Sequence, residues 1–181
     1  MLTITIPAGG ELYDEVNNIF INSKGQTLQL EHSLVSLSKW ESKWHKPFLS
    51  KTSDKTSEET VDYVRCMTIT QNVDPNEYLF LTDKNLQDIQ EYIDAPMTAT
   101  VFSRNDAPIN NRIITSEIIY YWMIAFQIPF ECQKWHLKRL LTLVEVCNRE
   151  NQDPKKMSEQ EVMRRNNDLN EARKKALHTK G

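Results

Sequence analysis

Glycine is nearly missing from this 181-residue chain: four occur, Gly9, Gly10, Gly25 and Gly181, and residues 26–180 contain none. Phosphate-cradling loops, dinucleotide-binding turns and nucleophile elbows need glycine where the backbone turns sharply or touches a ligand, so none can lie in that stretch. Cysteine is scarce as well. Cys66, Cys132 and Cys147 form no disulfide framework, and an odd number of thiols without an export signal reads as reduced side chains. Long apolar runs are absent: the longest, Ile118–Phe126, has nine residues, about half of a bilayer span. The N-terminus carries no basic-then-apolar leader, so the expectation is a soluble, cytosolic protein.

What is present suffices for a core. Hydrophobic residues make up 39% and charged residues 26% of the chain, which separates it from disordered compositions. At 21.2 kDa one domain can hide about 70% of its unfolded surface.

Residues 2–6 alternate branched apolar and polar side chains, as a half-buried strand does, and Pro7 with Gly9 and Gly10 ends the run. A second extended stretch near Ile19–Ile21 is expected to meet a third, Thr27–Leu30, across the polar loop Asn22–Gly25. From Ser33 the period changes to three and four, with Leu34, Leu37, Trp40, Glu41 and Trp44 on a short helix that Pro47 stops. Thr56 and Glu59 have capping-box spacing ahead of Val61, Val64 and Met67, and Asp74-Pro75 closes that segment. Thr82 caps a third helix with a stripe of Leu86, Ile89 and Ile93, ended by Ala95-Pro96, after which residues 94–112 look irregular.

Thr115 is placed to cap a fourth helix whose middle, Ile118–Phe126, is apolar on every side, so it is expected at the centre of the domain. Pro129 opens a fifth, with Phe130, Leu137, Leu140, Leu141 and Val144 buried, Lys134, Lys138 and Glu145 outward, and the two helices packed as a hairpin. After the break at 151–154, Ser158 with Glu161 forms a capping box flanked by Met157 and Val162. The last helix is weakly amphipathic: residues 155–181 hold eight basic and four acidic groups, against a net −7 for residues 1–154.

The reading is an α+β fold, mostly α: a small N-terminal antiparallel sheet (residues 1–32) followed by a helical bundle (33–150) and a basic C-terminal helix (151–181) for docking.

Candidate chemistry is sparse. Cys132 and His136, four apart, make half a zinc site, but no second close pair of Cys or His completes it. A thiol nucleophile would need Cys132 or Cys147 beside His32, His45 or His136, and a paired-carboxylate site would draw on Glu31, Glu41, Asp62 or Glu117. Nothing in the spacing selects a pair. Trp40 and Trp44, interleaved with Lys39, Lys43 and Lys46, superficially suit stacking on nucleic-acid bases, yet a net −7 body repels a phosphate backbone. The tryptophans fit a core or a protein interface better. Arg164, Arg165, Arg173, Lys174 and Lys175 form the one basic handle for an acidic partner.

The string Leu28-Gln-Leu-Glu-His-Ser-Leu-Val-Ser-Leu-Ser-Lys-Trp-Glu-Ser-Lys-Trp-His-Lys-Pro-Phe-Leu49 resembles a family of small proteins from the tail-morphogenesis regions of long-tailed bacteriophages. Three later stretches are similar to the same family: Tyr92–Thr100, Ile118 through Cys147, and Leu169–Lys175. The resemblance covers most of residues 28–178, with a weaker match over 1–27. It implies a tail assembly chaperone that keeps a tape-measure protein soluble and recruits tube subunits, or a tail or head-tail component of the virion. No catalytic residues belong to the pattern.

The expected function is therefore non-enzymatic, by protein-protein contact with tape-measure or tube proteins, in the host cytoplasm or the virion. Neither a cofactor nor a metal is expected, nor a membrane; nucleic acid is disfavoured, and a homo-oligomer is compatible with the composition. Trp40, Trp44 and Trp135 join Arg164, Arg165, Arg173, Lys174 and Lys175 as the candidate partner-binding residues, since large aromatics and arginine dominate interface energetics. A small enzyme or a nucleic-acid accessory protein is the alternative: the first would show a cleft around a perturbed Cys, His or carboxylate, the second salt-sensitive retention on DNA.

Overall fold

The computed structural model describes residues 1–15, 17–50, 54–102, 113–151 and 159–177, without the side chains of 159–162. The chain is α+β and mostly α, with a small N-terminal antiparallel β region followed by helices. Met1–Cys147 and Asn148–Gly181 form two compact units, each described by itself.

Strands β1 (Leu2–Ile6), β2 (Glu11–Asp14), β3 (Ile19–Asn22) and β4 (Gln26–Leu30) make two antiparallel pairs, β1 with β4 and β2 with β3. The expected hairpin between Ile19–Ile21 and Thr27–Leu30 does not form; these two strands follow one another along one side of a ribbon. The chain reverses instead between Asp14 and Ile19, where Asn18 takes φ +56 and the Asp14 carboxylate accepts the Asn17 amide at 3.2 Å. The polarity of Asn22–Gly25 serves another purpose: buried Ser23 places its hydroxyl 2.8 Å from the Pro7 carbonyl and 2.9 Å from the Glu77 carboxylate.

The two strand pairs are joined through a bulge. The Gly9 amide donates to the Ser23 carbonyl at 3.1 Å and the Ser23 amide to the Gly10 carbonyl at 2.8 Å, so two residues face one and the register slips by one. Gly9, at φ +86, occupies the bulge position that favours glycine, and a Cβ on Gly10 would lie 2.7 Å from the Phe80 ring.

Helix α1 (Leu34–Trp44) starts at a Ser33–Ser36 capping box. Helix α2 (Ser57–Met67) starts at the expected Thr56–Glu59 box, and α3 (Asp83–Asp94) at Thr82, with Asn85 completing its box. A 3₁₀ turn at Pro75–Phe80, capped by Asp74, lies between α2 and α3. On α3 the buried stripe is Asn85, Ile89 and Tyr92, whereas Leu86 is exposed, because the Asn85 amide reaches the Thr5 carbonyl of β1 at 3.3 Å. Helices α4 (Ser116–Ala125), α5 (Leu137–Glu150) and α6 (Glu159–Leu177) follow. Helix α5 begins eight residues after Pro129, the expected start. Phe130–Lys134 is a separate 3₁₀ turn with Phe130 exposed, because the Leu137 amide is drawn to the His32 carbonyl at 2.8 Å. The capping box expected at Ser158 and Glu161, with Met157 and Val162, rests on side chains outside the described residues.

Helix α1, not α4, is the central element of the Met1–Cys147 unit. Trp40 belongs to an apolar cluster with Ile4, Ile6, Leu28, Leu30, Val64, Met67 and Ile89. Leu34 and Leu37 belong to a second, with Ile119, Met123, Leu137, Leu140 and Val144. The expected hairpin of α4 and α5 does not form as a close pair: α4 packs on α1, and α5 shares only this second cluster with it. Helix α4 is buried on one side only: Tyr121 is 65% and Ile124 63% exposed. The apolar run misleads because α1 buries polar groups that are internally satisfied, while α4 carries apolar groups beyond those its neighbours cover.

Glu41, on the last turn of α1, is the clearest such group. Its carboxylate accepts the Phe48 amide at 2.9 Å and the Ser116 amide, at the start of α4, at 2.7 Å. Thr115 occupies the N-cap of α4 but makes no side-chain cap bond, so a carboxylate from another helix supplies the acceptor, where the helix dipole also favours negative charge. Glu41→Ala is expected to cost about 2–4 kcal/mol by stranding these donors, and Glu41→Gln about half of that, as read by urea denaturation. A Glu41→Ala protein as stable as the wild type contradicts this assignment.

Candidate functional site

Two of the three tryptophans expected at a docking surface hold the interior together. Trp40 has no solvent exposure; its indole N–H donates to the Glu59 carbonyl at 2.8 Å, and its ring meets Phe48 edge-on at 5.0 Å between centroids. It cannot contact a partner without unfolding, which corrects that expectation. Trp44 is half-buried against the same cluster and donates to the Asp62 carboxylate at 2.8 Å, while Phe48 stacks on Tyr63 at 3.9 Å. Lysines of α1 and the segment after it complete the region: Lys43 pairs with Asp62 and Lys46 with Glu59. The Lys46 ammonium and the Thr56 amide hold the Glu59 carboxyl below the usual carboxylate range. Two of the three lysines interleaved with the tryptophans, Lys43 and Lys46, thus face carboxylates of the same chain, while Lys39 is exposed.

Trp135 is half-buried beside the second cluster, and the Arg139 guanidinium lies over its ring at 4.1 Å. Arg164, Arg165, Arg173, Lys174 and Lys175 are all exposed along α6, in the separate Asn148–Gly181 unit. Lys174 and Lys175 fall in its last turn, where cations suit the helix dipole.

The structure brings His32 and His136 together in a buried polar cluster with Tyr63 and Tyr92. His32, between β4 and α1, and His136, before α5, place their rings 5.0 Å apart. His32 Nδ1 lies 2.6 Å from the Tyr63 hydroxyl of α2. His136 Nε2 lies 3.0 Å from the Tyr92 carbonyl of α3 and must carry the proton, because a carbonyl only accepts. Its Nδ1 is buried without a hydrogen-bond partner among the described residues. The Tyr92 hydroxyl donates to Glu31 at 2.9 Å, and the N-terminal ammonium faces the same carboxylate.

Burial and the neighbouring His136 push the His32 pKa down to about 3, and burial also lowers that of His136. Burial raises both tyrosine hydroxyls far above their ordinary range. The two imidazoles and the two tyrosine hydroxyls are therefore neutral, and they join β4, α1, α2, α3 and α5 at one point. Cys132, the expected partner of His136 in a half zinc site, lies in the second apolar cluster. No three His, Cys, Asp or Glu side chains converge on a metal position among the described residues.

Sequence reasoning missed the exposed apolar side chains. Tyr121 and Ile124 share one face of α4, and Phe130 is exposed shortly after it. On the β2–β3 ribbon Leu12, Tyr13, Ile19 and Phe20 are all exposed. The aromatic run Tyr120-Tyr121-Trp122 held a usable signal, since rings with a polar tip suit half-wet positions better than a dry centre. No described helix is long and apolar enough to cross a membrane. No protein family, curated protein sequence or solved structure matches the chain.

The histidine cluster makes a pH prediction. Both folded-state pKa values lie below the ordinary 6.5, so the unfolded chain takes up protons first as the pH falls. Stability is complete above pH 6.5 and declines below it, at up to about 1.4 kcal/mol per pH unit for each imidazole. Carboxylates with lowered pKa values, such as Glu59 and Asp62, weaken the fold only below their ordinary values of 4.5 and 3.8, so the interval from 6.5 to 5 isolates the histidines. Urea midpoints measured across that interval should fall steadily, and less so for His32→Gln; a flat profile contradicts the cluster's role.

Proposed function

We propose that this protein is a non-enzymatic assembly factor that works by protein-protein contact, and that its partners are the tape-measure or tube proteins of a long-tailed bacteriophage. The tail-assembly part rests on the resemblance of residues 28–49, 92–100, 118–147 and 169–175 to small tail-morphogenesis proteins. The contact part rests on one observation above the others: the most apolar segment of the chain forms a helix that leaves Tyr121 and Ile124 in solvent. Large apolar side chains side by side at such exposure are the composition of an interface centre.

The resembling segments have different uses in this reading. Residues 28–49 form β4 and α1 and maintain the interior, whereas residues 118–147 carry the contact face on α4 and the turn that follows. Partner selection therefore belongs to α4, with the exposed basic residues of α6 offering a second, electrostatic contact to an acidic partner.

The double variant Tyr121→Ser, Ile124→Ser is expected to keep the wild-type thermal stability, because exposed positions contribute within about 0.5 kcal/mol. Its capture of co-expressed tape-measure or tube protein should fall at least tenfold. Undiminished capture by a folded double variant overturns the proposed contact face.

A further inference from the structure

The edges of the two strand pairs are treated differently. The outer edge of β4 is covered: the Glu31 amide donates to the Met67 carbonyl at 2.8 Å, and the Ile69 amide to the Gln29 carbonyl at 2.9 Å. On the outer edge of β1 the Thr5 carbonyl accepts from Asn85 of α3. Along the outer edge of β3 the β2–β3 ribbon has no such cover among the described residues. Isolated two-stranded ribbons are marginal in water, and proteins normally blunt an open edge with charge, proline or a covering element. β2 is blunted, with Glu11 and Asp14 in the strand and Glu15 just after it, but β3, Ile19-Phe20-Ile21-Asn22, has neither charge nor proline.

We propose that β3 pairs antiparallel with β3 of a second copy of this chain, making a four-stranded sheet across a twofold axis. The hydrogen-bonding pattern fixes the register. Ser23 spends its amide and carbonyl on the β2 side, at Gly10 and Gly9. These directions alternate along an antiparallel strand, so Ile21 and Ile19 also bond toward β2, while Phe20 and Asn22 aim theirs outward. Only one register uses both outward residues: Phe20 opposite Asn22 of the copy, and Asn22 opposite its Phe20, exchanging four hydrogen bonds. Ile21 then meets its own counterpart on the axis, in the close, non-hydrogen-bonded type of pair.

Charge selects the occupant. Pairing β2 with its own copy sets acid against acid, and pairing β2 with β3 of another copy leaves an open, non-closing contact. The β3–β3 pairing closes on itself and opposes no like charges. Two four-residue strands cover well under the roughly 1,200 Å² of a standard stable interface, so the dimer is weak and reversible, with a Kd on the order of 10–100 μM. The pairing is independent of the tail-assembly reading and needs no phage protein to be present.

The test is sedimentation velocity of the full chain over concentrations that bracket this Kd, with Ile21→Glu and Ile21→Lys alone and mixed. The wild type should shift from monomer to dimer, each variant should stay a monomer, and the equimolar mixture should regain the dimer through a Glu–Lys contact on the axis. Should either variant fail to fold, amide exchange of the wild type by NMR decides: rising concentration should slow Phe20 and Asn22 and leave Ile19 and Ile21 unchanged. A wild type that stays monomeric, or an Ile21→Glu chain that associates as well as the wild type, overturns the proposal. Protection of the Phe20 and Asn22 amides only on adding a tail protein also overturns it, and gives the edge to a strand of that partner.

Discussion

Helix α1 can sit between two apolar clusters only because its buried polar groups are satisfied. Ser36 closes the cap with Ser33, Trp40 donates to the Glu59 carbonyl, and Glu41 accepts amides from Phe48 and Ser116. An unpaired carboxylate in that position would be prohibitively costly, whereas a paired one ties α1 to the segment just after it and to the start of α4, 75 residues away. Glu77 repeats the device at the ribbon, where its carboxylate accepts the Lys24 amide at 2.8 Å as well as the Ser23 hydroxyl. Buried acids therefore organise the connections, and apolar residues fill the space between them.

This arrangement separates interior from contact surface in an unexpected way. The aromatic side chains concentrated around α1, Trp40, Trp44, Phe48 and Tyr63, stabilise the fold, and the histidine pair joins the helices around them. The exposed apolar groups lie elsewhere, on α4 and on the β2–β3 ribbon. A protein that acts by contact gains from that separation, because surfaces that bind can vary without disturbing the part that folds.

Much of the fold was legible from punctuation. Thr56 and Thr82 announce their helices through side-chain capping, a local interaction that sequence spacing reports directly. Burial was less legible, because it depends on partners. The nine-residue apolar run suggested a central helix, yet the central helix is the more polar α1, whose Glu41 finds its Ser116 donor only after folding. Strand pairing failed similarly: Asn22–Gly25 has turn composition, but Ser23 and Lys24 are claimed by Glu77, more than fifty residues away. Among the candidate site residues, the basic side chains of α6 are exposed as their composition suggests, while Trp40 shows that aromatic spacing alone cannot distinguish a core from a docking face.

The central claim is that the Met1–Cys147 unit works through its surface, with no role for the buried groups beyond stability. Hydrogen-deuterium exchange of the full chain, alone and with the tape-measure or tube protein proposed as its partner, tests it most directly. The account predicts slowed exchange at α4 and the turn after it, with α1 and the segments around His32 and His136 unchanged. Altered exchange centred on the histidine cluster, with α4 unaffected, would contradict it.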